Sequence, residues 1–503
     1  MKNTKFERVR GLNDILPEIC AIDKQIESQL QQNFTNYGYR PIDVPLLEHT
    51  ELYLKKAGED IVDRLYDFTY RNRRLCLRPE MTASVVRSYV DNLQNLPLPL
   101  RLYYHGAAFR YERPQKGRFR QFTQMGIELI GASGTMADAE VIATSIQGLE
   151  KLGLSNYRVV IAHIGVLNKF LDSLQIESRL RSFLLANMEI LQTQGKADVE
   201  KKLHKLYPSF ANVNQSDIHN QSLINLLSSL EEKEARDAIL DLLNSMNVQL
   251  TGTRDPEEIV TGLLHKITRQ NEVEKIKKVL EFMSELGQIK GDPISAIKEA
   301  KKLLSHYQID DSGLDQLQEI MNILAYYPLD KNKISLNFGM SRGLQYYTGM
   351  IFEIHHGKDD EMQIAGGGRY DDLVTTFGGR NEIPATGFAY GLERVRMSLE
   401  IEGKLPFIPK NNVEILVIPV TEDDLSYGIN VAETLRKENI RVEIDVRNRN
   451  LSSNIQYADK QSIPLVIIVG KDEKNTATVV LRNMISKEQN QMNLSDAIAQ
   501  IKQ

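Results

Sequence analysis

Between positions 101 and 120 the chain sets out Arg101, Arg110, Arg113, Lys116, Arg118 and Arg120, six cations against few acids. Pro114-Gln115-Lys116-Gly117 in their midst carries the Pro and Gly that punctuate loops. Leu102 to Tyr111 before it and Phe119 to Ile130 after it have aromatic and branched residues at strand density, so the spacing predicts a hairpin. Side chains alternate across a strand, which puts Gln124, Gly126 and Glu128 on one face. A guanidinium such as Arg110 suits a phosphate, and a carboxylate at Glu128 suits a cationic or N–H-donating group. A solvated basic edge strand would account for the loop cations. It would not account for Gln124 and Glu128 pointing the same way among apolar neighbours.

Three other constellations carry chemistry. Leu75-Cys76-Leu77-Arg78 is a short strand stopped by Pro79, and a helical run follows from Ala83 to Leu93. Glu80 and Thr82 fall at that junction, where ligand contacts are common, although a Thr there equally serves as a helix N-cap. Arg342-Gly343-Leu344-Gln345-Tyr346-Tyr347 joins an arginine, able to bind phosphate or carboxylate, to tyrosines that can wall a flat ring and hydrogen-bond it. Ala365-Gly366-Gly367-Gly368-Arg369-Tyr370 is neither a P-loop nor a dinucleotide fingerprint, and its glycines read as letting backbone approach a ligand. Pro384 to Arg394 reads as a small-residue strand entering a helix.

Arg110-Tyr111-Glu112-Arg113-Pro114-Gln115-Lys116-Gly117-Arg118, followed by Gln121-Phe122, resembles motif 2 of class II aminoacyl-tRNA synthetases in the form carried by histidyl-tRNA synthetases. The helix from Pro17 and the Tyr37–Glu48 segment resemble motif 1, the dimer-forming part of that family, and Pro384–Arg394 resembles motif 3. The Arg342–Tyr347 run is similar to a histidine-specific motif of the same family, with Gln345 where Asp is usual. The resemblance implies an activity: ATP-dependent attachment of L-histidine to tRNA(His) through a histidyl-adenylate, with Mg²⁺ arriving with ATP. By the same resemblance, Arg342 and Arg110 would be catalytic. Glu80, Thr82, Gln124, Glu128, Tyr347 and Tyr370 would hold histidine, while Arg110, Arg118, Gly387 and Arg394 would hold ATP. Arg113, Gln115, Lys116 and Arg118 would meet the tRNA. A non-catalytic paralogue that senses histidine for ATP phosphoribosyltransferase is the alternative, but such proteins generally lack the C-terminal domain seen here. His163-Ile164-Gly165 lacks the second His of the class I ATP signature, Val166 standing there, so His163 reads as a strand-end residue.

Positioning these residues takes more than one core, since 503 residues exceed what a single core supports. The expected fold is α/β, with an α+β catalytic core: a class II antiparallel sheet with flanking helices over 1–174 and 328–405. A helical insertion, poor in glycine and with 3.6-residue periodicity, takes 175–327. Alternating strands and helices over 412–503 indicate an α/β domain that resembles an anticodon-binding domain. A net charge of −5 supplies no global basic field, so RNA contacts must be local. Two cysteines are too few for a disulfide framework or a cysteine zinc site, and the helical insertion contains no clustered His, Cys or carboxylates with metal spacing. With neither an apolar leader nor a bilayer-length apolar run, the expectation is a cytoplasmic protein without membrane contact, and the resemblance implies a homodimer.

Overall fold

The computed structural model describes residues 6–55, 64–112, 117–206, 234, 237–239, 241, 273–340, 346–357, 362–408 and 412–502. Arg113, Gln115, Lys116, Arg342 and Gln345 lie outside the described residues. The chain divides into two compact units, residues 1–15 with 23–405 and residues 16–22 with 406–503.

The larger unit is built on a nine-stranded sheet. Its strands are β1 (Arg40–Pro41), β5 (Leu100–Phe109), β6 (Gln121–Ile130), β7 (Tyr157–His163), β8 (Lys290–Gly291), β9 (Ile334–Asn337), β10 (Met350–His356), β11 (Met362–Arg369) and β12 (Ala385–Gly391). In space they run β1-β5-β6-β12-β11-β10-β7-β9-β8. The six from β5 to β7 are antiparallel throughout, as expected, while β1 and β9 join in parallel at either side. A small sheet of β2 (Leu47–His49), β4 (Arg73–Leu77) and β3 (Tyr66–Tyr70) stands apart from it. The strand at 66–70 was not foreseen in the sequence: Tyr66, Phe68 and Tyr70 alternate with Asp67 and Thr69, but the run is short and four of its five residues are exposed.

One face of the large sheet is closed by helices α1 (Pro17–Asn36) and α3 (Thr135–Lys151). Phe34 meets Phe388 edge-to-face at 6.0 Å and stacks on Tyr390 at 6.3 Å, Tyr390 donates to the Ser145 carbonyl, and Asn33 Nδ2 donates to the Thr144 carbonyl at 3.0 Å. The other face carries Gln124, Gly126 and Glu128 of β6 in register with Gly391, Ala389 and Gly387 of β12. Between them this face leaves a shallow floor of small residues with a carboxylate in it. Within 175–327, the described residues are mainly helical. Helices α4 (Pro293–His306) and α5 (Ser312–Leu324) are the best formed, and α5 packs on α3 and β7. Asp292 caps α4 by accepting from Ser295 N, with Pro293 in the first turn as its φ favours.

The smaller unit holds a five-stranded sheet of order β14-β13-β15-β16-β17, where β13 is Ile415–Pro419, β14 Val442–Ile444, β15 Leu465–Val469, β16 Thr478–Asn483 and β17 Gln489–Asn493. Helices α7 (Leu425–Lys437) and α9 (Leu494–Ile501) bury Val417 and Ile467 on one side, and α8 (Leu451–Lys460) buries Leu416 and Val466 on the other. Burial on both faces explains the unbroken apolar runs read as strands.

Candidate active site

A cavity of about 890 Å³, its open mouth included, gathers side chains from separate parts of the sequence. Glu80 and Thr82 come from the β4–α2 junction, where α2 is Thr82–Ser88, and Arg110, Arg118 and Gln124 come from the β5–β6 hairpin. Tyr347 and Tyr370 flank β10 and β11, and Gly387 and Arg394 come from β12 and α6 (Leu392–Ile401). Glu128, fully buried, stands behind that wall.

The junction at Glu80 follows from local chemistry. Pro79, lacking an N–H, ends the strand. The Glu80 carboxylate then accepts from Thr82 N at 2.6 Å and Ala83 N at 3.0 Å, satisfying two donors that a helix start leaves open. Thr82 is therefore the first helical residue rather than the cap, and its hydroxyl is released to donate to Glu128 Oε1 at 2.7 Å. Gln124 Oε1 accepts from Met81 N at 3.1 Å and ties this junction to β6. Burial pushes the Glu80 carboxyl above its ordinary range, opposed by the Ala83 and Thr82 N–H groups and by Arg110.

Around Glu128 three hydroxyls converge. Thr82 and Tyr104 donate to Oε1, Tyr104 at 3.1 Å, and Tyr370 donates to Oε2. Burial pushes its carboxyl up to about 8; the hydroxyls pull it down, and Glu80 adds to the rise. Gly387, opposite Glu128 on β12, leaves room for that carboxylate. At Gly367 the backbone brought close is a neighbouring strand rather than a ligand, since a Cβ there would meet Gly387 O at 2.1 Å. Tyr346 bridges the aromatic wall, with its ring centroid 4.7 Å from that of Tyr347 and 5.7 Å from that of Tyr370.

At the other end the charge is positive. Arg110 Nε donates to the Pro79 carbonyl at 2.9 Å, and its guanidinium lies 5.2 Å from the Phe122 ring centroid. Arg394 donates from Nε to Gly117 O and from Nη1 to Gln363 O, each at 2.8 Å, which aims it from the first turn of α6. Burial lowers its pKa, and the nearby Arg118 and Arg110 lower it further against the pull of Glu112 and Glu353. Guanidinium groups crowded in this way are a site for a polyanion. His163 takes no part: it is buried, its Nε2 lies 2.9 Å from Gln316 Oε1, and burial pushes its pKa down to about 4.

Residues 11–260 and 226–395 match the family described as histidyl-tRNA synthetase, and 414–503 match the anticodon binding domain. The histidine–tRNA ligase of Methanocaldococcus jannaschii is 34% identical over 490 residues, 96% of either chain. That of Pyrococcus horikoshii is 32% identical over 499 residues, 99% of either chain.

The chain belongs to the histidyl-tRNA synthetase family.

Solved structures agree on the fold. The histidyl-tRNA synthetase of Nostoc sp. PCC 7120 superposes with a TM-score of 0.66 over 99% of both chains at 21% identity. The apo enzyme of S. aureus gives 0.60 over 99% of this chain and all of its own at 23% identity. The sequence analysis did not single out Glu112 and Glu393, nor Tyr104, which bonds Glu128. Glu112 and Glu393 line the cavity, and Glu393 accepts from Thr123 N at 2.8 Å. Tyr104 was legible only through the β5–β6 register, which depends on a hairpin loop whose closing residues the sequence leaves open.

Proposed function

We propose that this chain joins L-histidine to tRNA(His) at the expense of ATP, by way of histidyl-adenylate. The carrying observation is the cavity itself, where Glu80, Thr82 and Tyr370 stand in the same enclosure as Arg110, Arg118 and Arg394. In this reading the histidine ammonium sits against Glu80 and Gln124, and its ring lies between Tyr347 and Tyr370 with Glu128 behind. Arg110, with Arg342, neutralises the α-phosphate, and Arg394 and Arg118 hold the far phosphates, while Gly387, which the resemblance assigns to ATP, lies against Glu128 at the amino-acid end. The histidine carboxylate attacks the α-phosphorus, and pyrophosphate leaves with the electron pair of the broken P–O bond. No protein nucleophile is required, so catalysis is positioning plus electrostatic stabilisation. The terminal hydroxyl of the tRNA then attacks the adenylate carbonyl, releasing AMP.

Mg²⁺ belongs to the nucleotide substrate in this scheme, and Glu112 and Glu393, which line the cavity with Arg118 and Arg394, would face it. Arg113, Gln115, Lys116 and Arg118 form the acceptor-stem contact. The working enzyme is a cytoplasmic homodimer with no membrane contact; among the described residues no helix is long and apolar enough to cross a bilayer. The test is ATP–pyrophosphate exchange with and without histidine, followed by charging of tRNA(His). Exchange that appears only with histidine supports the reading. Histidine binding without exchange would transfer the chain to the regulatory paralogues.

A further inference from the structure

Tyr104 has no place in the scheme above. It is 1% exposed, does not line the cavity, and lies on β5 opposite Gly126, two residues from the partner of Glu128. Gly126 makes room for it, since a Cβ there would meet the Tyr104 hydroxyl oxygen at 2.8 Å and Cζ at 2.9 Å. The phenol lies over the glycine and reaches Glu128 from behind.

An ionised carboxylate has about four acceptor positions, two on each oxygen. On Glu128, Oε1 takes Thr82 and Tyr104, and Oε2 takes Tyr370. One position remains, on Oε2, the oxygen beside Gly387 and Tyr370, which both line the cavity. Each hydroxyl has one proton and commits it to Glu128. Thr82 and Tyr370 therefore show the cavity only lone pairs. Such a wall accepts the N–H groups of an imidazole amino acid and offers nothing to a side chain that only accepts.

Resting on the reading of this cavity as a histidine site, we propose that Tyr104 is a positioning residue for amino-acid specificity. By donating to Glu128 from outside the cavity, it holds the carboxylate so that Thr82 and Tyr370 face the substrate as acceptors. Without that bond, Oε1 has an empty acceptor position in a buried setting, and the carboxyl takes up a proton more readily. The acceptor wall therefore belongs to the ionised form, reached as pH rises through about 8; a protonated Glu128 donates to one of its hydroxyls, which must turn its own proton elsewhere, and the wall is broken. The Glu80 charge also acts on Glu128, and it favours the same protonation.

The experiment compares full-length wild type and Tyr104→Phe in ATP–pyrophosphate exchange, across histidine concentrations and from about pH 6 to pH 9, the range in which a raised carboxyl titrates. The expected result is a histidine KM raised about tenfold, the size of one lost hydrogen bond to a charged group. The KM for ATP should be unchanged, and the pH dependence of the histidine KM should move to higher pH. Thr82→Val empties the other position on Oε1 and is expected to move the profile the same way, so it decides the matter should Tyr104→Phe fail to fold. An unchanged histidine KM and profile overturns the proposal, as does an equal rise in both KM values. A wild type without histidine-dependent exchange overturns the site reading itself.

Discussion

Gly387 faces Glu128 across the β6–β12 pairing, and a Cβ on Gly387 would lie 1.9 Å from Glu128 Oε2 and 2.5 Å from the Ile127 carbonyl. The space that this glycine leaves is thus already claimed by a carboxylate of its own protein, before any nucleotide arrives. Gly387→Ala must push Glu128 aside or part the strands, costing about 1–3 kcal/mol of stability as overpacking does. The expected outcome is a lowered melting temperature together with a histidine KM raised more than tenfold, read by thermal denaturation and pyrophosphate exchange. An alanine variant with wild-type kinetics would show that the strands relax there freely.

Glu128 also gives a signature in folding. Its carboxyl is raised by burial from 4.5 to about 8 in the fold, so the folded chain binds a proton there that the unfolded chain has lost. Stability linked to this group is therefore full below about pH 4.5 and is lost as pH rises through about 8. Glu128→Gln removes that titration. Chemical denaturation of the two proteins should show the wild type losing stability relative to the variant between those limits and running parallel above them. Parallel curves throughout would mean that the carboxyl ionises normally.

Arg394 reaches two backbone carbonyls, Gly117 O and Gln363 O, at 2.8 Å each. Arg394→Ala should raise the KM for ATP at least tenfold, with the histidine KM little changed, since a charged hydrogen bond of about 1.5–3 kcal/mol is lost. Arg394→Lys should not rescue it, because a single ammonium cannot replace a planar fork. Equal effects on both substrates would point to collapse of the cavity.

How legible all this was varied with the kind of residue. The β5–β6 hairpin and the facing of Gln124 and Glu128 were written in period-2 alternation and turn chemistry. That Thr82 begins the helix rather than capping it could not be read, because the choice depends on the Glu80 carboxylate folding back to cap the helix. Gly367 and Gly387 read as ligand approaches, yet their demand comes from strands far off in sequence. The β16–β17 hairpin was unforeseen, since β17 is almost wholly exposed and polar and has no core-facing stripe. In the smaller unit, Arg449 pairs with Asp445 at 3.0 Å and lies 4.2 Å from the Tyr457 ring centroid.

Beside the site, Arg369 sits on a buried pair with Asp138 at 2.8 Å, and also bonds Asp371 and the Gly134 carbonyl. Arg369→Ala strands the Asp138 charge, for which a loss of about 3–5 kcal/mol is expected. Protonating Asp138 relieves the stranding, so the loss measured by denaturation should be smaller at pH 5 than at pH 8. A pH-independent loss would assign the effect to packing alone.

The most direct measurement is histidine-dependent ATP–pyrophosphate exchange by Glu128→Ala, with ATP binding measured alongside. The prediction is exchange reduced to background while ATP still binds, because the hydroxyls of Thr82 and Tyr370 lose the acceptor that orients them. Near-normal exchange would contradict the claim that Glu128, from behind the wall, reads the amino acid.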